Sequence, residues 1–180
     1  VSKILLEPKN IREIIAMQMV QRWKQQTGDK IHPSCVVGVP DGAKLLAVEI
    51  SRILGVPLGK MRKENGIISL DGSIENRDMI LEIEDICTRG TGFREGVSAI
   101  RRVYPDARIL PFNPVIINSG GLSHVSMKGE EDFLVVPVVN IKANDWQAED
   151  CPLCRRGSVA IKPKVTAENW LEITTSQLAT

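Results

Sequence analysis

Two adjacent carboxylates, Glu84 and Asp85, stand just ahead of a loop of small and hydroxylated residues, Thr88-Arg89-Gly90-Thr91-Gly92. Backbone N–H groups of such a loop, with the N-terminus of a following helix, hold a phosphate. Paired acids are costly side by side unless hydroxyls or a cation satisfy them. Together the two features suit a phosphorylated sugar, its phosphate in the loop and its hydroxyls on the acids. The flanking residues say how these groups are presented. The apolar run Met79–Ile83 predicts a buried strand that ends at the acids, and Phe93, Val97, Ile100 and Val103, spaced by three and four, predict a helix that opens at the loop. Side chains alternate along a strand, so both acids serving one sugar requires the strand to turn at Glu84.

The other elements must bring partners to that loop. Residues 8–27 predict an amphipathic helix with Ile11, Ile14, Ile15, Met19 and Trp23 on its apolar face and Thr27-Gly28 at its end. Ser34–Val39 reads as a short buried strand that breaks at the turn Pro40-Asp41-Gly42. A second helix over Ala43–Leu54, carrying Leu45, Leu46, Val48, Ile50 and Ile53, stops at Gly55. Pro57–Met61 is a strand running into Arg62-Lys63-Glu64, and Asn65–Arg77 is either a mobile loop or a small hairpin able to close over a site. Further strands are expected at Ala107–Leu110, Val115–Ile117 and Asp132–Asn140, the last with Pro137 inside it and hence near an edge or bulged. Strands alternating with helices predict an α/β fold with a mainly parallel central sheet flanked by helices. Ligands gather at the carboxyl ends of such strands. Three of these ends, Val39–Gly42, Arg62–Glu64 and Glu84–Gly92, are expected to converge on one crevice.

Bulk properties narrow the field. The 180 residues suit one domain, here 1–180 with the segment 149–180 as an appended tail. Lys and Arg number 23 against 22 Asp and Glu, a net charge of +1 that carries no footprint for nucleic acid. The apolar stretch Ile11–Val20 is broken by Arg12, Glu13 and Gln18, so no membrane span is expected and the cytoplasm is the default location. Cys151-Pro152-Leu153-Cys154 has the spacing of a zinc or redox pair, although Cys35, Cys87, His32 and His124 lie far from it in sequence. A complete zinc site, a redox pair and a reduced structural turn all stay open.

With these pieces in place the sequence resembles the type I phosphoribosyltransferases, and among them the orotate phosphoribosyltransferases. The stretch IEDICTRGTG from Ile83 is similar to the family's motif for phosphoribosyl pyrophosphate (PRPP). Gly38-Val39-Pro40-Asp41-Gly42 is similar to its pyrophosphate loop, and Arg62-Lys63-Glu64 to the R-K-E of the orotate branch. The segment from Glu149, EDCPLCRRGSVAIKPK, is similar to the C-terminal part of some bacterial orotate enzymes. The resemblance implies a fold with a flexible loop over the site, magnesium carried mainly by PRPP rather than by protein ligands, a nucleobase acceptor and a homodimer. It implies that Glu84 and Asp85 take the ribose hydroxyls and that Thr88, Arg89, Gly90, Thr91 and Gly92 wrap the 5-phosphate. Asp41 and Gly42 then border the pyrophosphate, which Arg62 and Lys63 contact. Glu84, Asp85 and Lys63 become the candidate catalytic residues, and phosphoribose passes to orotate with loss of pyrophosphate.

Three positions depart from the family pattern. From Asn65 to Asn76 there is no lysine, arginine or histidine, where the orotate branch carries a lysine and usually a histidine to help pyrophosphate leave. Asp41 stands where some members have a lysine, with Lys44 close enough in sequence to compensate. The stretch Ile116–Gly121 lacks the arginine that helps hold orotate. A PRPP-binding regulatory protein that has lost the chemistry, or an enzyme for a different base, is the alternative these departures raise.

Overall fold

The structure, a computed structural model, describes residues 6–178 apart from 29, 72–73, 76–78, 145 and 163–164. Two compact units divide the chain, Val1–Ala143 and Asn144–Thr180.

The first unit is built on a sheet whose strands follow the order β2-β1-β5-β7-β9-β8, with β6 also paired to β5. The strands are β1 (Cys35–Gly38), β2 (Leu58–Gly59), β5 (Met79–Cys87), β6 (Arg108–Ile109), β7 (Phe112–Asn118), β8 (His124–Val125) and β9 (Phe133–Asn140). All pairings within it are parallel except that of β8 with β9. This is the expected mainly parallel sheet, and β5 lies at its centre because its apolar run is buried on both faces. Leu81 and Ile83 pack on one side with Leu46 and Ile50 of helix α2 (Lys44–Leu54) and Trp23 of helix α1 (Lys9–Thr27). Ile80 packs on the other with Phe93, Val97 and Ile100 of helix α3 (Thr91–Val103).

Several expectations shift by a residue or a face. In α1 the buried side chains are Ala16, Met19, Val20 and Trp23, while Ile11 and Ile14 are exposed. In α2 Leu45 and Val48 are exposed, and the face turned inward carries Glu49, held by Arg12 of α1 at 3.2 Å and Arg52 at 3.1 Å. Val103 ends α3 outside the core. The apolar pattern is wide enough to permit several faces, and the tertiary contacts select one. Pro114 does not interrupt β7, whose register with β5 begins one residue later at Glu84 with Val115. Pro137 lies in β9 beyond the two residues of β8, so its missing N–H falls where that side of the strand is an edge.

The larger correction concerns residues 57–70. The expected single strand from Pro57 divides: Leu58–Gly59 joins the sheet, and Met61–Glu64 (β3) leaves it to pair antiparallel with Ile67–Leu70 (β4). The tip is Asn65-Gly66, both at positive φ. Of the two readings of Asn65–Arg77, a hairpin accounts for its first part. Residues 72–73, 76 and 77 of that stretch lie outside the described residues.

The second unit contains helix α4 (Pro152–Arg155) and helix α5 (Ala167–Leu178). Cys151 immediately precedes α4. Among the described residues no group of three or more His, Cys, Asp or Glu side chains is placed to hold a metal.

Candidate functional site

The loop after β5 forms as its composition predicts. Gly90 caps the start of α3 at φ 64°, where a Cβ would also strike Val125, so a larger residue is excluded on two counts. Thr88 Oγ1 and Ser119 Oγ are 2.8 Å apart, and the main-chain N–H of Ser119 donates to the Cys87 carbonyl at 2.8 Å. The turn Asn118–Gly121 is thereby pressed onto the loop, so closely that a Cβ on Gly120 would overlap the Thr88 carbonyl. Arg94 donates to the Arg89 carbonyl at 2.8 Å and braces the loop from the first turn of α3. Thr88, Arg89 and Thr91 remain exposed around the N-terminus of a 13-residue helix, where unpaired N–H groups favour an anion.

The two acids do not share a direction. Pairing of β5 with β7 continues through Cys87 with Asn118, so the strand runs on past Glu84 and the two acids fall on opposite faces. Glu84 points under α3 and is only 6% exposed. It accepts from the Phe93 backbone N–H and, at 3.4 Å, from Asn113 Nδ2 of β7. Burial, reinforced by the neighbouring Asp85, raises its carboxyl pKa to about 7 despite those donors. Asp85 points the other way, against the β1–α2 turn, where a Cβ on Gly42 would lie 1.8 Å from Asp85 Oδ2. Asp41 and Gly42 are thus brought beside Asp85, across the adjacent strand end, and the Pro40–Asp41 peptide is cis. Lys44 Nζ lies 3.1 Å from Asp41 Oδ1, which supplies the compensating cation.

At the third strand end the two cations are engaged by other side chains. Arg62 lies along the hairpin, donating to Ser69 Oγ at 3.2 Å. Lys63 projects from the opposite face of β3 and pairs with Glu95 of α3 at 3.0 Å. Arg102 of α3 donates to the Ile68 carbonyl at 2.7 Å, so the hairpin is tied along the helix. A groove of about 500 Å³ runs between them, from Thr91 past Arg94 to Gly66. Sequence reasoning missed Ser119 and Asn113. A polar residue inside an otherwise apolar strand was the available signal for Asn113.

Comparison with known proteins gives a consistent picture. No family model matches the chain. The orotate phosphoribosyltransferase of Pelotomaculum thermopropionicum is 28% identical over 162 residues, spanning 89% of this chain and 78% of that protein. That of Acidithiobacillus ferrooxidans is 31% identical over 137 residues, 72% of this chain and 64% of its own length. Among solved structures, orotate phosphoribosyltransferase from Aeropyrum pernix superposes with a TM-score of 0.58 at 17% identity, covering 76% of this chain and 74% of that one. Adenine phosphoribosyltransferase from Rhodothermus marinus gives 0.56 at 15% identity, with 76% and 83% covered. The fold is that of the type I phosphoribosyltransferases, and the likeness to the orotate branch read from the motifs is borne out.

Proposed function

We propose that this chain, a phosphoribosyltransferase by sequence likeness and by fold, transfers phosphoribose from PRPP to a nucleobase, with orotate as the acceptor, to give orotidine 5′-monophosphate and pyrophosphate. One observation carries the reading: a helix-capping loop suited to a phosphate begins three residues after Asp85, which lies against Gly42 where two parallel strand ends meet. That spacing suits a ligand with an anion at each end and hydroxyls between them.

In this reading Thr88, Arg89, Gly90, Thr91 and Gly92 hold the 5-phosphate on N–H groups and hydroxyls. Glu84 and Asp85 approach the ribose from the two sides of β5. The bond from ribose C1 to pyrophosphate breaks as the bond to the base nitrogen forms, and C1 gains positive charge between them. Carboxylates fixed beside that charge stabilise it without reorganising. Asp41 and Gly42 border the leaving pyrophosphate, with Lys44 offsetting the Asp41 charge. A hard cation such as magnesium suits a crevice walled by carboxylate and backbone oxygens. Bound mainly by PRPP's own phosphates, it would supply neutralisation of the leaving group. Arg62 and Lys63 reach the pyrophosphate only if the hairpin leaves α3. A homodimer belongs to the same reading and is supported by the exposed apolar side chains Ile14 and Met17 of α1 and Leu45 and Val48 of α2. Among the described residues no helix is long and apolar enough to cross a membrane. Free thiols at Cys35, Cys87, Cys151 and Cys154 fit a reducing compartment and a cytoplasmic location.

A second reading is favoured by the Lys63–Glu95 pair and the absence of lysine, arginine and histidine from Asn65–Asn76: a regulatory homologue that binds PRPP without turnover. A third, another base as acceptor, is favoured by the lack of an arginine in Ile116–Gly121. Incubation with PRPP, magnesium and orotate, followed by pyrimidine absorbance, decides among them. Loss of orotate absorbance supports the orotate reading. Turnover only with another base selects the third reading, and a PRPP-dependent rise in Tm without any turnover selects the second. A Tm unmoved by PRPP and magnesium overturns the site itself.

A further inference from the structure

Helix α3 carries two glycines four residues apart, and beneath them lie two acids two residues apart on β5. A Cβ on Gly92 would come 2.8 Å from Glu84 Oε1, and one on Gly96 would come 1.8 Å from Glu82 Oε1. Four residues of helix rise about 6 Å and two residues of strand span about 6.6 Å, so the elements stay in step and each acid fills the space under one glycine. Glu84 has a role in the reaction proposed above. Glu82 has none. It is 0% exposed, and neither of its carboxyl oxygens has a hydrogen-bond partner among the described residues. Asn113 Oδ1 is likewise buried and unpartnered. Asn113 precedes by two residues Val115, the register partner of Glu84, and so stands abreast of Glu82 on the neighbouring strand with its side chain on the same face. Its amide nitrogen is already committed to Glu84 Oε2.

Complete burial, with the Glu84 charge on the same face, pushes the Glu82 pKa well above the ordinary carboxylate range. A protonated carboxyl is a donor, and the unsatisfied acceptor beside it is the Asn113 oxygen. The outer torsion of a glutamate is soft enough to aim one at the other. We propose that Glu82 is a positioning residue: its carboxylic acid O–H, turned to Asn113 Oδ1, fixes the Asn113 amide so that its NH2 orients the Glu84 carboxylate toward the ribose hydroxyls. The inference rests on the ribose role of Glu84. The ionisable groups that act on Glu84 are Glu82, on its own face of β5, Asp85, from the opposite face, and Cys87; α3 adds the Phe93 N–H, and β7 adds Asn113. Among the described residues the amide is therefore the one side-chain donor to Glu84 from another element.

Three variants test the chain of contacts: Glu82→Leu, Glu82→Gln and Asn113→Ala. Glu82→Leu removes an unpaired buried acid and is expected to raise Tm, while PRPP binding weakens about tenfold, the loss of one well-placed hydrogen bond. A merely structural role moves stability and binding together. Glu82→Gln still donates and is expected to bind PRPP within about twofold of the parent. Asn113→Ala weakens binding to a similar extent, and adding Glu82→Leu to it produces no further loss, because both act through one amide. Parent-like PRPP affinity in Glu82→Leu, or losses that add in the double variant, overturns the proposal. A ligand-free arm follows the Glu84 carboxyl by 13C NMR: its titration moves to higher pH in both Glu82→Leu and Asn113→Ala, and an unmoved titration in Glu82→Leu overturns the proposal. If the parent itself fails to bind PRPP with magnesium, the ribose reading falls, and the Glu84 titration still decides whether Glu82 acts on it.

Discussion

The β5–α3 segment and the β3–β4 hairpin flank the same groove and are built on opposite terms. β5 is paired on both sides and covered on both faces, and α3 seats Phe93 in the core, edge-on to Phe133 with ring centroids 5.0 Å apart. The hairpin has two strands of four residues, one buried face represented by Met61 and Ile68, and an exposed Ile67. A two-stranded hairpin has little stability of its own and depends on what it leans against. In the proposed function the phosphate and ribose fall to the central sheet and α3, and the cations expected for pyrophosphate to a hairpin held by the burial of Met61 and Ile68, the Lys63–Glu95 pair and the bond from Arg102 to the Ile68 carbonyl. That reading puts binding and leaving-group chemistry on separate supports.

The largest test of that contrast is in stability. Phe93→Ala is expected to cost about 3–5 kcal/mol in urea denaturation, as for other buried aromatics. Ile67→Ala, at 61% exposure, should stay within about 0.5 kcal/mol. Similar losses at the two positions would break the comparison. Next comes Gly42→Val, whose side chain must displace the Asp85 carboxylate. The expected result is about a hundredfold fall in kcat/KM, or roughly 2.7 kcal/mol, with an unchanged circular dichroism spectrum.

The third test is pH. The folded Glu84 carboxyl titrates near 7 against an ordinary value of 4.5, so the native state holds a proton that the unfolded chain has already lost. Stability should therefore be higher at acid pH and fall as pH rises from about 4.5 to 7, with a slope of up to about 1.4 kcal/mol per pH unit for one proton. Glu82, also pushed well above the ordinary carboxylate range by burial and the Glu84 charge, adds a decline of the same sign. Glu49 acts in the opposite sense: its pKa is lowered, with the Arg52 and Arg12 bonds outweighing burial, and its contribution is lost as pH falls below 4.5. Denaturation across pH 4–8 reads the balance, and Glu84→Gln should make the 4.5–7 segment less steep. The smallest effect is at Glu95. Its partly exposed pair with Lys63 holds the hairpin by no more than about 1 kcal/mol. Glu95→Gln should leave Tm nearly unchanged and lower KM for pyrophosphate in the reverse reaction; an unchanged KM would mean that Lys63 takes no part.

The legible parts of this protein are those written in short-range spacing. The alternation of β5, the three-and-four spacing of α3 and the small residues between them are local, and they appear where the residues predict. The helix stops before Gly28 and Gly55 are local as well. The faces of α1 and α2 were harder to read, because each helix has apolar residues around more than half its girth and burial depends on which neighbour arrives. Ile14 and Leu45 look like core residues in sequence and lie outside in the fold.

By itself the sequence determined a strand, two acids and a phosphate-holding loop in one order, since backbone sterics and side-chain period act over a few residues. The tertiary structure alone decided that Gly42 lies against Asp85 and that Lys63 pairs with Glu95. It also placed Glu82 and Asn113 side by side with unsatisfied oxygens. Each of these depends on strand register and on packing between residues about 30–45 positions apart in the chain, where only the closure of the whole sheet fixes which groups meet.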